Sequence, residues 1–423
     1  MGVRGHDGTD GRDRAGGRTD SRKEPRTEAA RARRAVAVVF TVHGAVAGGF
    51  ATRIPWIRDQ LELGTGPLGV ALVFATVGAA ASMPLAARLA HRHGPRGALR
   101  LLIVLCCAGL ALPAAAPGPV WLCGALLLYG AGLGISDVAM NAQAVQVEER
   151  MGRSVMSGLH GMWSVGTLVG GGVGALAAHF AVDARIHLTL TVPVLAVIGA
   201  VAAGRTPDVR AEPGLQAPPH FALPGRGVLA VGLIGFFAVF AEGASMDWAG
   251  IYLRDVTDAS PGLAAGAYTA FACTMAVARL AGDAVVSRLG PVRTVRISGV
   301  LAASGGLLVV AAHEPAAAVA GFALIGTGIA VVVPLCFAAA GRTASGAPGQ
   351  AIAGVATLAY ASGLAAPAAV GWIAEFTSLP VSFALITVLL CGLVPGAGVL
   401  RTERAGPPRP APDAAGQPSA PGP

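Results

Sequence analysis

Residues 205–226 read RTPDVRAEPGLQAPPHFALPGR, the long polar interruption in an otherwise apolar body. The chain on its two sides is a repeat. At an offset of 196 residues, Gly94, Pro95 and Arg100 fall on Gly290, Pro291 and Arg296. The same offset sets Arg92 on Arg288, the pair Arg58 and Asp59 on Arg254 and Asp255, Gly66 on Gly262, Gly130 and Gly132 on Gly326 and Gly328, and Phe180 on Phe376. In a chain with 60 glycines, glycine matches count for little. The weight therefore rests on Arg-Asp and on the spaced Arg-x-Gly-Pro-x-x-x-x-Arg. A parallel repeat of this length, in a chain of membrane spans, is what two halves related by an axis along the membrane normal leave in a sequence.

The 423 residues are 54% hydrophobic and 13% charged, with a mean hydropathy of +0.63. That is too little polar surface for a solvated globular enzyme, and it places the chain in a bilayer. Lys23 is the sole lysine, so a Gly-x-x-x-x-Gly-Lys phosphate loop cannot be written, and ATP is not expected as the energy source. The net charge of +8 sits at segment ends. Topology accounts for it, and nucleic acid is not expected as a partner. Cys106, Cys107, Cys123, Cys273, Cys336 and Cys391 lie inside apolar runs without metal or redox spacing, so no disulfide, metal or other cofactor is expected.

Twelve runs approach the ~20 apolar residues a helical span requires. They lie near 35–52, 67–90, 98–116, 119–140, 156–181 and 186–203 before the linker, and near 228–251, 262–286, 297–312, 316–340, 350–374 and 381–400 after it. The reading is an all-α membrane protein of two six-helix halves, 34–204 and 227–400, joined by the cytosolic linker 205–226. A disordered arm (1–33) and tail (401–423) flank it. Arginines concentrate in alternate loops, at Arg88 to Arg100, Arg150, Arg153, the linker, Arg288 to Arg296, Arg342, Arg401 and Arg404. By the positive-inside rule both termini are cytosolic, with the plasma membrane as the expected location.

Twelve spans as six plus six, with basic loops after spans 2 and 8, resemble the major facilitator superfamily of secondary transporters over residues 35–400. Its loop signature is degenerate after span 2, where MPLAAR (83–88) precedes Arg92, Gly94 and Arg96 without an acid. The copy after span 8 keeps Arg279, Gly282, Asp283, Arg288, Gly290 and Arg293. Two longer stretches resemble the fucose-permease-like, YbjJ-type branch: DVAMN (137–141) through Glu148 to HGMWSVG (160–166), and AEGASMDWAGIYLRD (241–255). The resemblance implies a monomeric transporter for a small-molecule substrate, with alternating access between the halves. Span 5 also resembles an antiporter signature, but Gly171 stands at its proline position. Gly166, Gly170 and Gly174, four apart, read as a face for close helix approach.

An ionisable group inside a span costs a few kcal/mol and invites a functional reading. Glu242 is the first candidate, about 14 residues into span 7 and roughly 21 Å along a helix. Desolvation at such depth favours the protonated form of a carboxyl, so Glu242 is the expected carrier of a coupled proton. Asp247 and Trp248 lie nearer the outer mouth, where Trp commonly anchors at the interface. Asp137 and Asn141 share a face of span 4, either lining the cavity or tying helices together. His43 and Arg53 stand on span 1, His43 either titrating or packed as a structural residue. Trp163 and Ser164, with Gln143, offer a sugar-like or amphipathic ligand a ring face and polar groups, the other reading of Trp163 being a packing role. Asp283, Arg288, Glu148, Arg153 and Arg342 form the expected inner gate, with Asp283 expected at the start of span 5.

These residues point to proton-coupled movement of a small organic solute, possible alternatives being efflux of hydrophobic compounds and a sensor that no longer transports. Membrane-enzyme motifs such as His-Glu-x-x-His and Gly-x-Ser-x-Gly are absent from the sequence.

Overall fold

A computed structural model of the chain describes residue 2 and residues 23–151, 155–208, 226–343 and 348–401. Twelve helices among these are long and apolar enough to cross a membrane. Spans 1 to 6 are Lys23–Ala51, Thr65–Ser82 with its continuation Leu85–His93, Pro95–Gly109, Pro119–Met151, Met156–His179 and Ala184–Ala203. Spans 7 to 12 are Arg226–Thr257, Pro261–Leu289, Pro291–Ala311, Pro315–Ile329 with its continuation Val332–Thr343, Pro348–Phe376 and Leu379–Cys391. Most of the expected linker, most of the arm and nearly all of the tail lie outside the described residues. Span 1 starts at Lys23, inside the segment expected to be a disordered arm. Residues 28–34, EAARARR, are strong helix formers and extend the apolar run.

The repeat read from the sequence is repeated in the packing. Gly94 has φ 74° and Gly290 φ 75°, each opening a helix whose first residue is proline. A side chain would be strained at both, so both turns need glycine. A Cβ at Gly130 would strike the carbonyl of Ala75, and one at Gly326 the carbonyl of Phe271, the residue 196 further on. Gly132 faces Cys106 and Gly328 faces Ala302 with the same correspondence.

Within the first half, spans 1 and 5 lock through glycines on both sides. Cβ atoms at Gly166 and Gly170 would run into the carbonyls of Thr41 and Ala45, and those at Gly44 and Gly48 into the carbonyls of Trp163 and Thr167. Hydrocarbon offers helices no hydrophobic gain on association, so this backbone-to-backbone contact is what holds the seam. The matching seam in the second half uses Ser362, whose hydroxyl donates to the carbonyl of Phe236 at 2.9 Å.

The halves meet along spans 2 and 11 and along spans 5 and 8. At the face opposite the starts of spans 1 and 7 they carry two reciprocal ion pairs: Arg58 to Asp255 at 2.5 Å and Arg254 to Asp59 at 2.8 Å. These are the Arg-Asp pairs of the repeat, each Arg holding the other half's Asp. Beside them Glu375, at the end of span 11, accepts from Thr65 Oγ1 at 3.0 Å and the Gly66 N–H at 2.9 Å. A carboxylate from one half thus caps a helix N-terminus of the other, where the N–H groups lack intrahelical partners. Trp248 is fully buried near Gly371 of span 11. This corrects the expectation of an interface anchor: the ring packs inside the protein, against span 11 of its own half.

Two predictions follow from this packing. Gly170→Leu should lower stability by ~1–3 kcal/mol or more through overpacking, read as a fall in Tm in detergent, while Gly172→Leu, whose added Cβ meets nothing within 4 Å, should change little. Arg58→Ala and Arg254→Ala should shift the chain towards a state open at this face by equal factors, at most about fivefold for a pair worth up to ~1 kcal/mol. Spin-label distances across this face read the shift, and an effect from only one of the two would contradict a symmetric latch.

Candidate functional site

Between spans 5, 7 and 8 lies a narrow crevice of about 20 Å³ to which both halves contribute. From the first half come Trp163, Ser164 and Thr167, and from the second Glu242, Tyr268 and Arg279. The volume holds one water and no solute, so substrate must enter a more open state. With the Arg58 to Asp255 and Arg254 to Asp59 pairs made, that opening belongs to the face from which spans 1 and 7 start.

The charged centre of the crevice is an ion pair. Arg279 Nη2 donates to Glu242 Oε1 at 3.1 Å and Oε2 at 3.2 Å. Span 7 holds Glu242 sixteen residues from its start at Arg226, about 24 Å along the axis, well within hydrocarbon depth. Arg279 stands ten residues inside the end of span 8, too deep to reach the basic loop in which the sequence reading set it. A second contact fixes its guanidinium: Nε donates to the carbonyl of Ala330 at 3.3 Å. That carbonyl is free because Pro334, four residues on, has no N–H to return. Span 10 breaks there, between Ile329 and Val332, and Arg279 satisfies the group the break releases.

Across the crevice the Trp163 ring is oriented from behind. Its indole N–H donates to His43 Nδ1 at 3.0 Å, and His43 Nε2 lies 3.1 Å from the carbonyl of Leu133. Indole nitrogen only donates, so Nδ1 accepts and the ring proton sits on Nε2, pointing at the carbonyl. His43 is buried and bonded at both nitrogens. A second proton at Nδ1 would face the indole N–H and break the contact, so the geometry holds His43 neutral as a positioning residue.

The other candidates divide. Ser164 lines the crevice. Asp247 stands on span 7 about a turn beyond Glu242, without an ion pair among the described residues. Asp137 and Asn141 bond to each other on span 4, the Asn141 amide donating to the Asp137 carbonyl at 2.9 Å and to its Oδ1 at 3.2 Å. Arg53 is buried just past the end of span 1 and donates to the carbonyl of Val182, tying span 1 to the loop before span 6. Gln143 is buried as well, holding the carbonyl of Pro207 at 3.0 Å and so the start of the linker.

At the expected inner gate, Glu148 accepts from the N–H groups of Val155 at 2.7 Å and Met156 at 3.1 Å. The acid at the start of span 5 is thus supplied by span 4 of the same half. Arg288 is exposed. Arg153 and the side chains of Asp283 and Arg342 lie outside the described residues. Sequence reasoning missed the pairing of Arg279 and the place of Tyr268. The depth of Arg279 within its apolar run was the available signal, because a buried guanidinium needs a counter-ion.

Residues 26–188 match the family described as MFS/sugar transport protein. An MFS-type transporter of Yersinia pestis is 35% identical over 354 residues, covering 84% of this chain and 91% of its own length. Membrane protein MosC of Rhizobium meliloti is 30% identical over 364 residues, 85% of this chain and 87% of its own. Among solved structures, the nucleoside transporter NupG superposes with a TM-score of 0.69 at 13% identity, over 87% of this chain and 98% of its own. An inward-facing, occupied bacterial homologue of the human lysosomal transporter Spinster superposes with a TM-score of 0.65 at 10% identity, over 87% and 96%. At those identities the structures speak for the fold, whereas the two relatives speak for kinship. The chain belongs to the major facilitator superfamily of transporters.

Proposed function

We propose that this chain is a proton-coupled secondary transporter of a small polyhydroxylated solute, in the fucose-permease-like branch of its superfamily. It resides in the plasma membrane with both termini on the cytosolic face. The observation that carries the reading is the Glu242 to Arg279 ion pair in the crevice between the halves, opposite the Trp163 ring. A polyol fits that chemistry, since its C–H face stacks on an aromatic ring and its hydroxyls accept from a guanidinium and donate to a carboxyl. The MFS/sugar description of the matching family agrees with this solute class.

The coupling step uses only these side chains. While Glu242 is ionised, it occupies the Arg279 donors, and the pair is self-satisfied. A proton on Glu242 neutralises the carboxyl and releases Arg279 to bond the solute, so proton and solute bind together. In the empty site the two side chains satisfy each other, and in the loaded site the solute's hydroxyls accept from the Arg279 cation, so either form can pass between inward and outward states. A proton without solute leaves that cation without a partner, and solute without a proton finds the Arg279 donors taken, so both half-loaded forms are disfavoured.

A panel of monosaccharides, polyols and nucleosides, screened by thermal shift on the purified chain, supplies the ligand. With it in hand, Glu242→Gln should keep counterflow within about threefold of wild type and lose pH-driven accumulation altogether. Arg279→Gln should weaken binding about tenfold or more, the worth of a hydrogen bond to a charged group. Trp163→Phe, which keeps a ring but loses the bond to His43, should weaken it about fivefold. Accumulation by Glu242→Gln driven by pH alone would place the coupling group elsewhere, and wild-type binding without counterflow would make the chain a sensor.

A further inference from the structure

A second, much larger cavity lies far from the crevice. It is a groove of about 1060 Å³ on the face that carries both termini, bounded by the starts of spans 1 and 3, the ends of spans 4 and 6, and residues 205–208. Five arginines line it, Arg31, Arg34, Arg96, Arg150 and Arg205, against two carboxylates, Glu28 and Asp208. Asp208 is engaged by the Arg96 backbone N–H at 3.2 Å, and Arg96 Nε by the carbonyl of Thr206 at 2.7 Å. Arg31, Arg34, Arg150 and Arg205 make no ion pair among the described residues.

The groove continues into an apolar track. Val197 is 62% exposed, Val201 47% and Val38 38%. Leu190 and Val194 extend the same row along span 6, at the spacing of one helix face. Arg205 follows Val201 by one turn, so guanidinium groups sit at the mouth and aliphatic side chains run from there into the membrane.

We propose that this groove binds an anionic glycerophospholipid, its phosphodiester among the arginines and an acyl chain along Val201, Val197 and Val38. Two features select this occupant. The excess of unpaired guanidinium groups complements a phosphodiester, whose oxygens accept paired donors. The apolar track begins where a lipid's glycerol ends and lies on the membrane-facing side of span 6, which a soluble phosphate has no use for. Basic pockets between helix ends at a membrane surface are suited to such headgroups. The site lies apart from the transport crevice, and its occupant would brace span 1 against span 6.

The test uses the full chain in nanodiscs of phosphatidylcholine containing 20% phosphatidylglycerol, with the lipid retained on release counted by native mass spectrometry. The wild type should retain phosphatidylglycerol in preference to phosphatidylcholine, and Arg34→Gln with Arg205→Gln should lower that retention about tenfold. Arg288→Gln with Arg293→Gln, a control at basic residues outside the groove, should leave it unchanged. Thermal unfolding in lipid-free detergent, expected to be the same for all three, separates a lost site from a lost fold. No preference for phosphatidylglycerol in the wild type, or an equal loss in the control, would overturn the proposal. So would a raised Tm with free glycerophosphate equal to that with phosphatidylglycerol.

Discussion

Inside hydrocarbon no water is present to satisfy a backbone group or a charge, and this structure is arranged around that constraint. Helices satisfy their own backbones until a proline intervenes, and each break must be repaired from a neighbouring helix. Pro334 releases the carbonyl of Ala330, and Arg279 takes it. Pro367 releases the carbonyl of Gly363, and the Thr76 hydroxyl of the other half approaches it at 3.4 Å. One repair fixes the guanidinium that faces Glu242; the other lies across the line on which the halves must move. The same constraint explains why the first half closes spans 1 and 5 through glycines, since close backbone contact is what remains where hydrophobic association is unavailable.

The repeat gives the two halves one plan and different chemistry. The two Arg-Asp ion pairs are symmetric, and their partly exposed, individually weak character suits contacts that break in every cycle. Near them symmetry fails: Glu375 caps span 2, while the residue 196 earlier, His179, faces Gly262 at the start of span 8. In the crevice it fails altogether. The first half contributes an aromatic ring held by a neutral histidine, and the second contributes the ion pair. A site with the ring on one side and the charges on the other reports on the separation of the halves, as alternating access demands.

Much of this was legible in the sequence, because the relevant physics is local or periodic. Apolar length fixes spans, and the twelve runs are the twelve helices. The Arg-Asp pairs were legible only as part of the repeat, with no sign that each arginine would reach across to the other half. Glu242 stood out because a carboxyl at that depth is expensive. Its partner did not, because Arg279 lies 37 residues away and matched a loop signature, and pairing between helices leaves no periodic trace. Arg53 and Gln143 illustrate the converse. Both are polar residues just past the ends of apolar runs, and both turn out to hold loop carbonyls, a use that depends on where a distant loop passes. Trp248 could not be placed by depth alone, since a packed interior and a membrane interface can lie at similar heights.

The central claim is that a proton on Glu242 releases Arg279 to the solute. It is tested most directly by the dissociation constant of the solute as a function of pH, measured on purified wild type and Glu242→Gln. If protonation must accompany binding, the wild-type Kd is constant at low pH and rises tenfold per pH unit once Glu242 is ionised in the free protein. Glu242→Gln, neutral throughout, then binds with a Kd that does not vary with pH. A Glu242→Gln variant that retains the wild-type slope would contradict the account.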